Sequence, residues 1–301
     1  NLNGIITGNQ IKKLSWKTVC IRRTLSQLSD ILPYNLNKYL SLWIGEFAPE
    51  IVYTNLGDIR LTDLTIRISE KYKIPAIPHF MDDWIATMYT SSIIYYFHRM
   101  LLLNKTKKLM RKISLGMSIS EIMAHEYRKK FLCRFESFMN TVRIPSENEC
   151  LQSNKRLNKK IRFCYAGGLH LSRWKSLLTI VSALENLLQA GKHVEIFIYT
   201  SQNDLHQFKV MFSIFRVVKY FGNISFENLH KELQKADILI HVESFEEMFL
   251  KYTRLSISTK IPQYMAACRP ILVLAPSDVA SAQYILQTGC GIVINKNEKL
   301  L

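Results

Sequence analysis

Along most of the chain, short apolar runs alternate with segments whose apolar positions recur at helical spacing. Residues 1 to 15 read as an irregular lead-in. Trp16 to Leu32 then repeats apolar positions every three or four residues, with Arg22 and Arg23 on the outer side. Asn35 to Phe47 predicts a second helix, closed by Pro49, before the strand Ile51 to Leu56. Leu61 to Tyr72 predicts a third helix, and Ile74 to Phe80 a strand after it. Ser91 to Ile113 is helical in pattern, Leu115 to Ser120 is strand-like, and Ser120 is placed to cap the helix that follows. In the second half, strands are expected at Ile161 to Ala166, His193 to Ser201, within Val217 to Phe226, before Phe245, at Ile271 to Leu274 and at Ile292 to Ile294. A helix is expected at Asn228 to Lys235. This alternation is the signature of an α/β protein built on doubly wound parallel sheets.

Composition narrows the picture only a little. The chain has 301 residues, 48% hydrophobic and 21% charged, which is a globular balance with ample core material. A formal charge of +16, shared by both halves, favours anionic partners: a nucleotide, an acidic membrane surface or nucleic acid. No recognised nucleic-acid-binding motif accompanies it, so no nucleic-acid partner is expected. The six cysteines form no CxxC pair and no Cys/His metal spacing, which points to reduced thiols, a cytoplasmic protein and no zinc site. No apolar run approaches a membrane span and no signal peptide is evident. Arg143 to Lys160 is polar and holds Pro145, making residues 146–160 the expected linker between domains at 1–145 and 161–301.

The stretch Thr253 to Leu274 concentrates the candidate chemistry. It reads as a hydroxyl-rich loop, a short helix with Pro262 in its first turn, and a buried strand after Pro270. Ser256, Ser258 and Thr259 precede the helix beside Lys260, an arrangement suited either to capping or to binding a diphosphate. Upstream, Ile161 to Ala166 ends in Gly167-Gly168, where backbone can approach a ligand closely, and Arg173 and Lys175 follow. Arginine grips phosphate as a fork and lysine as a point charge.

In this order, Gly167-Gly168, Arg173, the Ser256–Lys260 loop and the closing Gly289 and Gly291 resemble the nucleotide-sugar domain of GT-B glycosyltransferases. The similarity is greatest to the family-four-like enzymes of bacterial surface-polysaccharide assembly. It covers nearly all of residues 160–301 and, more weakly, 45–145. The resemblance implies two Rossmann-like domains facing a cleft. It further implies transfer of a hexosyl group from a nucleotide-diphosphate sugar, with UDP or GDP as the expected nucleotide, to a hydroxyl of a carbohydrate or lipid-linked acceptor. Retention at the anomeric carbon without an essential metal is implied too, and the donor half carries no DxD-type motif. By the same resemblance Gly167, Gly168, Arg173, Ser256, Thr259 and Lys260 face the donor diphosphate. Tyr199, Thr200 and Phe221 to Ile224 lie where the family binds the base. The opening of the chain lacks the first strand and glycine-rich turn of a GT-B N-domain, which implies missing N-terminal sequence.

Two positions depart from the family. Gln263 stands where a ribose-binding glutamate is usual; an amide accepts with only one of its two polar atoms, so donor affinity is expected to fall. Cys268 replaces the glycine that closes the helix, forfeiting an easy left-handed position. Both allow an alternative: an attenuated or non-catalytic paralogue acting as a binding subunit. An epimerase of the same architecture would need more carboxylates and histidines at the donor sugar than the chain offers.

On the acceptor side the strand ending at His79-Phe80 opens into Met81-Asp82-Asp83-Trp84, beyond the carboxyl end of a strand where ligands gather in open parallel sheets. His79 and Asp82, or its neighbour Asp83, are the candidate catalytic groups; the competing reading has an aspartate capping the next helix and His79 in the core. Between Ser91 and Ile113, aromatic residues mix with Arg99, Lys105, Lys107, Lys108, Arg111 and Lys112. Such a helix suits either a solvated basic face or peripheral contact with the anionic inner face of a membrane.

Overall fold

The computed structural model describes residues 31–90, 93–146 and 160–295. The expected helix from Trp16 and most of the expected linker lie outside the described residues. The chain divides into two compact units, Asn1–Ala76 with Tyr89–Ile113, and Ile77–Met88 with Ser114–Leu301.

In the first unit, helix α1 (Lys38–Phe47) begins where Asn37 accepts from Leu40 N–H and ends at Ala48 in a left-handed conformation. Strand β1 (Val52–Asn55) follows, and Val52 N–H donates to Pro75 O at 2.9 Å. Helix α2 (Ile59–Tyr72) is capped by Asp58, which accepts from Leu61 N–H at 2.7 Å. It packs against α4 (Tyr96–Met110), with α3 (Trp84–Thr87) intervening in sequence. Helix α4 buries His98, Leu102, Thr106, Leu109 and Met110, and Lys107 and Lys108 are exposed. Tyr96, Phe97 and Met100 are exposed at its start. Near its end Lys105 pairs with Asp63, while Lys108 and Lys112 both reach Glu70, at 2.9 and 2.8 Å.

The second unit contains two parallel sheets. In the smaller, β2 (Ala76–Phe80), β3 (Gly116–Ser118) and β4 (Phe135–Ser137) lie side by side, with His79 opposite Met117 and Ser118 opposite Ser137. Helix α5 (Glu121–Phe131) links the last two and is capped as expected by Ser120, whose Oγ accepts from Met123 N–H. At three residues, β4 is too short to register as a periodic signal, and the sequence pattern did not predict it.

The larger sheet runs β5 (Ile161–Ala166), β6 (Val194–Tyr199), β7 (Val218–Phe221), β8 (Ile238–Val242), β9 (Ile271–Leu274) and β10 (Gly291–Ile294). Its spatial order is β10-β9-β8-β5-β6-β7, all parallel. That is the Rossmann order, in which the first strand lies between the second and the fourth. Helices α6 (Arg173–Gln189), α7 (Gln202–Ser213), α8 (Phe226–Gln234), α9 (Glu247–Thr253), α10 (Lys260–Ala266) and α11 (Ala280–Thr288) make the crossovers. Sheets covered on both faces need strands apolar on both sides, which is why Phe163 to Ala166 and Leu239 to Val242 are buried without alternation. Leu177, Val181 and Leu184 of α6 pack on Tyr165, Ile196 and Ile198. Each such side chain contributes roughly 1.5–3 kcal/mol by burial.

Cys133, Cys164 and Cys290 are free thiols, as expected, but Cys268 is disulfide-bonded, so the expectation of reduced cysteines does not hold there. Cys268 also adopts φ 54°, the left-handed geometry that its glycine counterpart would take without strain. Among the described residues no helix is long and apolar enough to cross a membrane.

Candidate functional site

Strand order reverses between β6 and β8 on either side of β5, and a ligand crevice is expected beyond the carboxyl ends of these strands. A cavity of about 700 Å³ lies there. The loop after β5 supplies Gly167, Gly168, His170, Leu171 and Arg173; the end of β8 supplies Glu243. Thr253 and the segment Ser256 to Lys260 form another wall, and Met81 to Trp84 with Thr87 and Ile119 form the last. All of these residues belong to the second unit.

Tyr264 fixes the position of Lys260. Its buried hydroxyl accepts from Ala166 N–H at 2.8 Å and donates to Ala166 O at 3.2 Å, tying α10 to the last residue of β5. Lys260, one turn earlier on the same helical face, is thereby laid across Gly167. A Cβ at Gly167 would run into Lys260 Cδ, Cε and Nζ, and the residue has φ 151°, which favours glycine. The Gly-Gly pair thus makes room for chain atoms: Lys260 at Gly167, and the His170 ring at Gly168. Lys260 Nζ donates to Tyr165 Oη at 3.3 Å and sits 4.7 Å from the centre of that ring. Burial, reinforced by Arg173, pulls the Lys260 ammonium down to about 7, against the opposing pull of Glu243.

Arg173 is the first residue of α6. Leu171 and Ser172 before it both hold left-handed φ values, 55° and 56°, a strain of about 1–3 kcal/mol each. The turn they make aims the guanidinium at the end of β8. There Nε and Nη2 donate to the two oxygens of Glu243 at 2.8 and 3.1 Å, and Nη1 reaches His170 Nε2 at 3.2 Å. Burial opposes ionisation of Glu243, but His241 and Arg173 override it and hold the carboxyl at about 2. Burial likewise opposes the charge on Arg173, which Glu243 restores. His241, fully buried in β8, is lowered by desolvation; its Nε2 is 3.3 Å from Glu243 Oε1 without hydrogen-bond alignment. His170 is lowered by burial and then by Arg173 and Lys260. At neutral pH the two histidines are therefore uncharged, and the cavity wall holds the basic side chains of Arg173 and Lys260 together with the carboxylates of Asp82, Asp83 and Glu243.

Two hydroxyls in the wall lack partners. Thr253 Oγ1 and Ser256 Oγ are buried and make no hydrogen bond among the described residues. A buried hydroxyl without a partner is costly, by about 1–3 kcal/mol, and both belong to residues that line the cavity. The helix-capping role open to Ser256, Ser258 and Thr259 is not observed: Thr259 occupies the N-cap with helical angles, φ −59° and ψ −13°, and no side chain caps α10. With only seven residues in that helix, the positive charge at the site comes from side chains.

Of the residues expected from sequence, the cavity gathers Asp82, Asp83, Gly167, Gly168, Arg173, Ser256, Thr259 and Lys260. Gln263 is half-buried and does not line it. His79 is buried, its Nε2 is 3.0 Å from Phe138 O, and it does not line the cavity either. The two aspartates separate cleanly. Asp83 caps α3 through Ala86 N–H and accepts the Tyr127 hydroxyl at 2.7 Å, whereas Asp82 is exposed toward the cavity. Lys175 forms a surface pair with Glu246. Tyr199 and Phe221 stack on each other at 5.1 Å, away from the cavity wall, and Thr200 bonds to Asp204. The sequence analysis did not single out His170, Trp84, Thr253 or Glu243; the one sequence signal for Glu243 is its place just beyond the expected strand that became β8.

By sequence, no protein-family profile and no curated protein matches the chain. Solved structures do match its fold. Sucrose-phosphate synthase from Thermosynechococcus elongatus superposes with TM-score 0.56 at 11% identity, over 86% of this chain and 64% of that one. WaaG, a glycosyltransferase involved in lipopolysaccharide biosynthesis, gives 0.52 at 13%, over 80% and 70%. A UDP-forming α,α-trehalose-phosphate synthase from Burkholderia vietnamiensis gives 0.56 at 9%, over 90% and 69%. The chain thus spans less than two thirds of the sucrose-phosphate synthase. These proteins are GT-B glycosyltransferases, and at such low identity the likeness is one of fold. The α/β, Rossmann-like fold class expected from the sequence is the one observed.

Proposed function

We propose that the cavity binds the diphosphate of a nucleotide sugar and that the protein is a glycosyltransferase, moving a hexosyl group to a hydroxyl acceptor in surface-polysaccharide or glycolipid assembly. The observation that carries this reading is the convergence of Arg173, Lys260 and the unpartnered hydroxyls of Thr253 and Ser256 at the strand-order reversal. An anion there meets two cations in a low-dielectric wall, where electrostatic stabilisation is strong. A cavity of this size is also ordinary for a small-molecule site, which runs to roughly 300–1,000 Å³.

In this reading the bond from the anomeric carbon to the diphosphate oxygen breaks, and its electron pair leaves with the diphosphate. A bond to the acceptor oxygen forms, and the acceptor proton passes to Asp82 or to the departing phosphate. Lys260 and Arg173 stabilise the leaving group, a role that needs no metal. Retention at the anomeric carbon remains part of the proposal, as does a lipid-linked acceptor presented at an anionic membrane. Residues 161–301 would bind the donor, and residues 1–145 the acceptor. The fold neighbours lend support, since one is named as UDP-forming and another as acting in lipopolysaccharide biosynthesis. Gln263 in place of a carboxylate favours the second reading, an attenuated paralogue that binds without turnover.

Thermal-shift titration with UDP, GDP, ADP and dTDP, on wild type beside Lys260→Ala, tests the proposal. A nucleotide at about 100 times its Kd adds about 2.7 kcal/mol of stability, which is easily seen. One nucleotide is expected to shift wild type and not the variant; no shift with any of them overturns the donor site.

A further inference from the structure

Glu243 is the most deeply buried carboxylate of the cavity, and leaving groups, acceptors and nucleotides give it no obvious task. Its side chain is 2% exposed, and its two oxygens occupy two of the three nitrogens of the Arg173 guanidinium. The backbone beneath it is fixed as well, because Ser176 Oγ donates to Glu243 O at 2.7 Å. The Nε/Nη2 edge of Arg173 is therefore taken by Glu243, and the edge left for a ligand is the one formed by Nη1 and the second N–H of Nη2, with His170 beside Nη1. A second cation, Lys260, shares the same wall.

We infer that Glu243 is the positioning residue of this anion site: it locks Arg173 in one orientation and supplies the counter-charge that keeps Lys260 a cation within a desolvated wall. The inference deepens the proposed donor site and rests on that reading for the identity of the ligand. Lys260 Nζ donates to the Tyr165 hydroxyl on β5; His170 in the loop after β5, Arg173 on α6, Glu243 beyond β8 and the carboxylates of Asp82 and Asp83 line the same cavity, and His241 on β8 lies 3.3 Å from Glu243. Tyr165 is neutral because burial raises its phenol, and the two histidines are neutral at pH 7. Arg173 disfavours a second positive charge nearby. Among these groups Glu243 alone favours it. Without that carboxylate the ammonium would release its proton at a lower pH, and the site would lose one of its two cations under neutral conditions.

The effect has a sign that structural damage cannot imitate. Loosening the wall would hydrate Lys260 and move its titration up toward the ordinary value of 10.5. Removing the Glu243 charge while keeping the wall intact moves it down. The experiment is competitive acetylation of the ligand-free full chain across neutral and alkaline pH, with the Lys260 peptide quantified by mass spectrometry. Glu243→Gln is expected to lower the Lys260 midpoint by about one unit, the smaller end of what a nearby opposite charge does. An unchanged or raised midpoint overturns the inference. Should Glu243→Gln not fold, Glu243→Asp keeps the charge but withdraws it by one methylene. It is expected to show a smaller shift of the same sign, and no shift or an upward one counts equally against the inference. A second arm measures binding of inorganic pyrophosphate to wild type and variant against pH. The pH at which affinity falls about tenfold should move down with the Lys260 midpoint; if it stays put, Glu243 does not act through Lys260. Failure of wild type to bind pyrophosphate or any nucleoside diphosphate would instead remove the donor-site reading, and the acetylation arm would still decide the role of Glu243.

Discussion

Replacing Gly167 by alanine separates two reasons for a glycine at the end of β5. The first is backbone geometry. At φ 151° an L-residue is strained, at a cost of about 1–3 kcal/mol that does not depend on what lies nearby. The second is Lys260, whose Cδ, Cε and Nζ fill the space a Cβ would need. That obstacle is the far end of a flexible side chain, so it yields by swinging away. Its removal costs little stability but takes the ammonium out of the wall. In urea unfolding, Gly167→Ala should therefore lose about 1–3 kcal/mol; for a unit of this size, 2 kcal/mol corresponds to about 4–8 °C in Tm. A double-mutant cycle with Lys260→Ala apportions the loss. Most of it should persist in the Lys260→Ala background, while nucleotide affinity falls by about 10- to 100-fold only where Lys260 is present. That range is what a charge-assisted hydrogen bond of about 1.5–3 kcal/mol supplies. Should Gly167→Ala leave nucleotide affinity untouched, Lys260 does not work from the position above Gly167, and the account of the Gly-Gly pair is wrong.

Two further outcomes follow from the same geometry. Glu243 is held at about 2, below its ordinary 4.5, so its stabilising contribution is complete above 4.5 and is lost as pH falls from there through 2; urea unfolding at descending pH should show a loss of roughly 3 kcal/mol that Glu243→Gln lacks. Lys260 is held at about 7, below its ordinary 10.5, so the unfolded chain binds the extra proton between these values and stability should rise with pH across that window; the rise should vanish in Lys260→Met. The adjacent aspartates should part company in the laboratory as they do in the structure. Asp83→Asn, which weakens the α3 cap and the Tyr127 bond, is expected to lower stability by about 1–2 kcal/mol, whereas Asp82→Asn should leave Tm in place and lower the rate of glycosyl transfer measured by nucleotide release.

Much of this fold is legible in one dimension because its elements are local. The strands at Ile161 to Ala166 and Ile271 to Leu274 are continuous apolar runs, and the caps Asn37, Asp58 and Ser120 act within three residues of themselves. Local patterns gave no sign of the three-residue β4, nor were α7 and α9 read from them. The candidate site was half legible. A glycine pair, an arginine and a Ser/Thr-Lys loop in the right order marked the wall, and the structure gathers them around one cavity.

What the amino-acid order determined by itself was the alternation of helix and strand, and with it a parallel α/β sheet whose strand ends carry loops rich in glycine, hydroxyls and basic residues. Only the tertiary structure decided how those loops meet. Glu243 and Arg173 are 70 residues apart, and Ala166 and Tyr264 are 98 apart, yet each pair lies within hydrogen-bond distance. Such pairings depend on strand order, which places β8 against β5, and no short-range preference encodes that order. Charge followed from the same contacts: Lys260 is an ordinary lysine in the sequence, and it becomes a desolvated cation beside an arginine and a carboxylate only once β5, β8 and α10 are brought together.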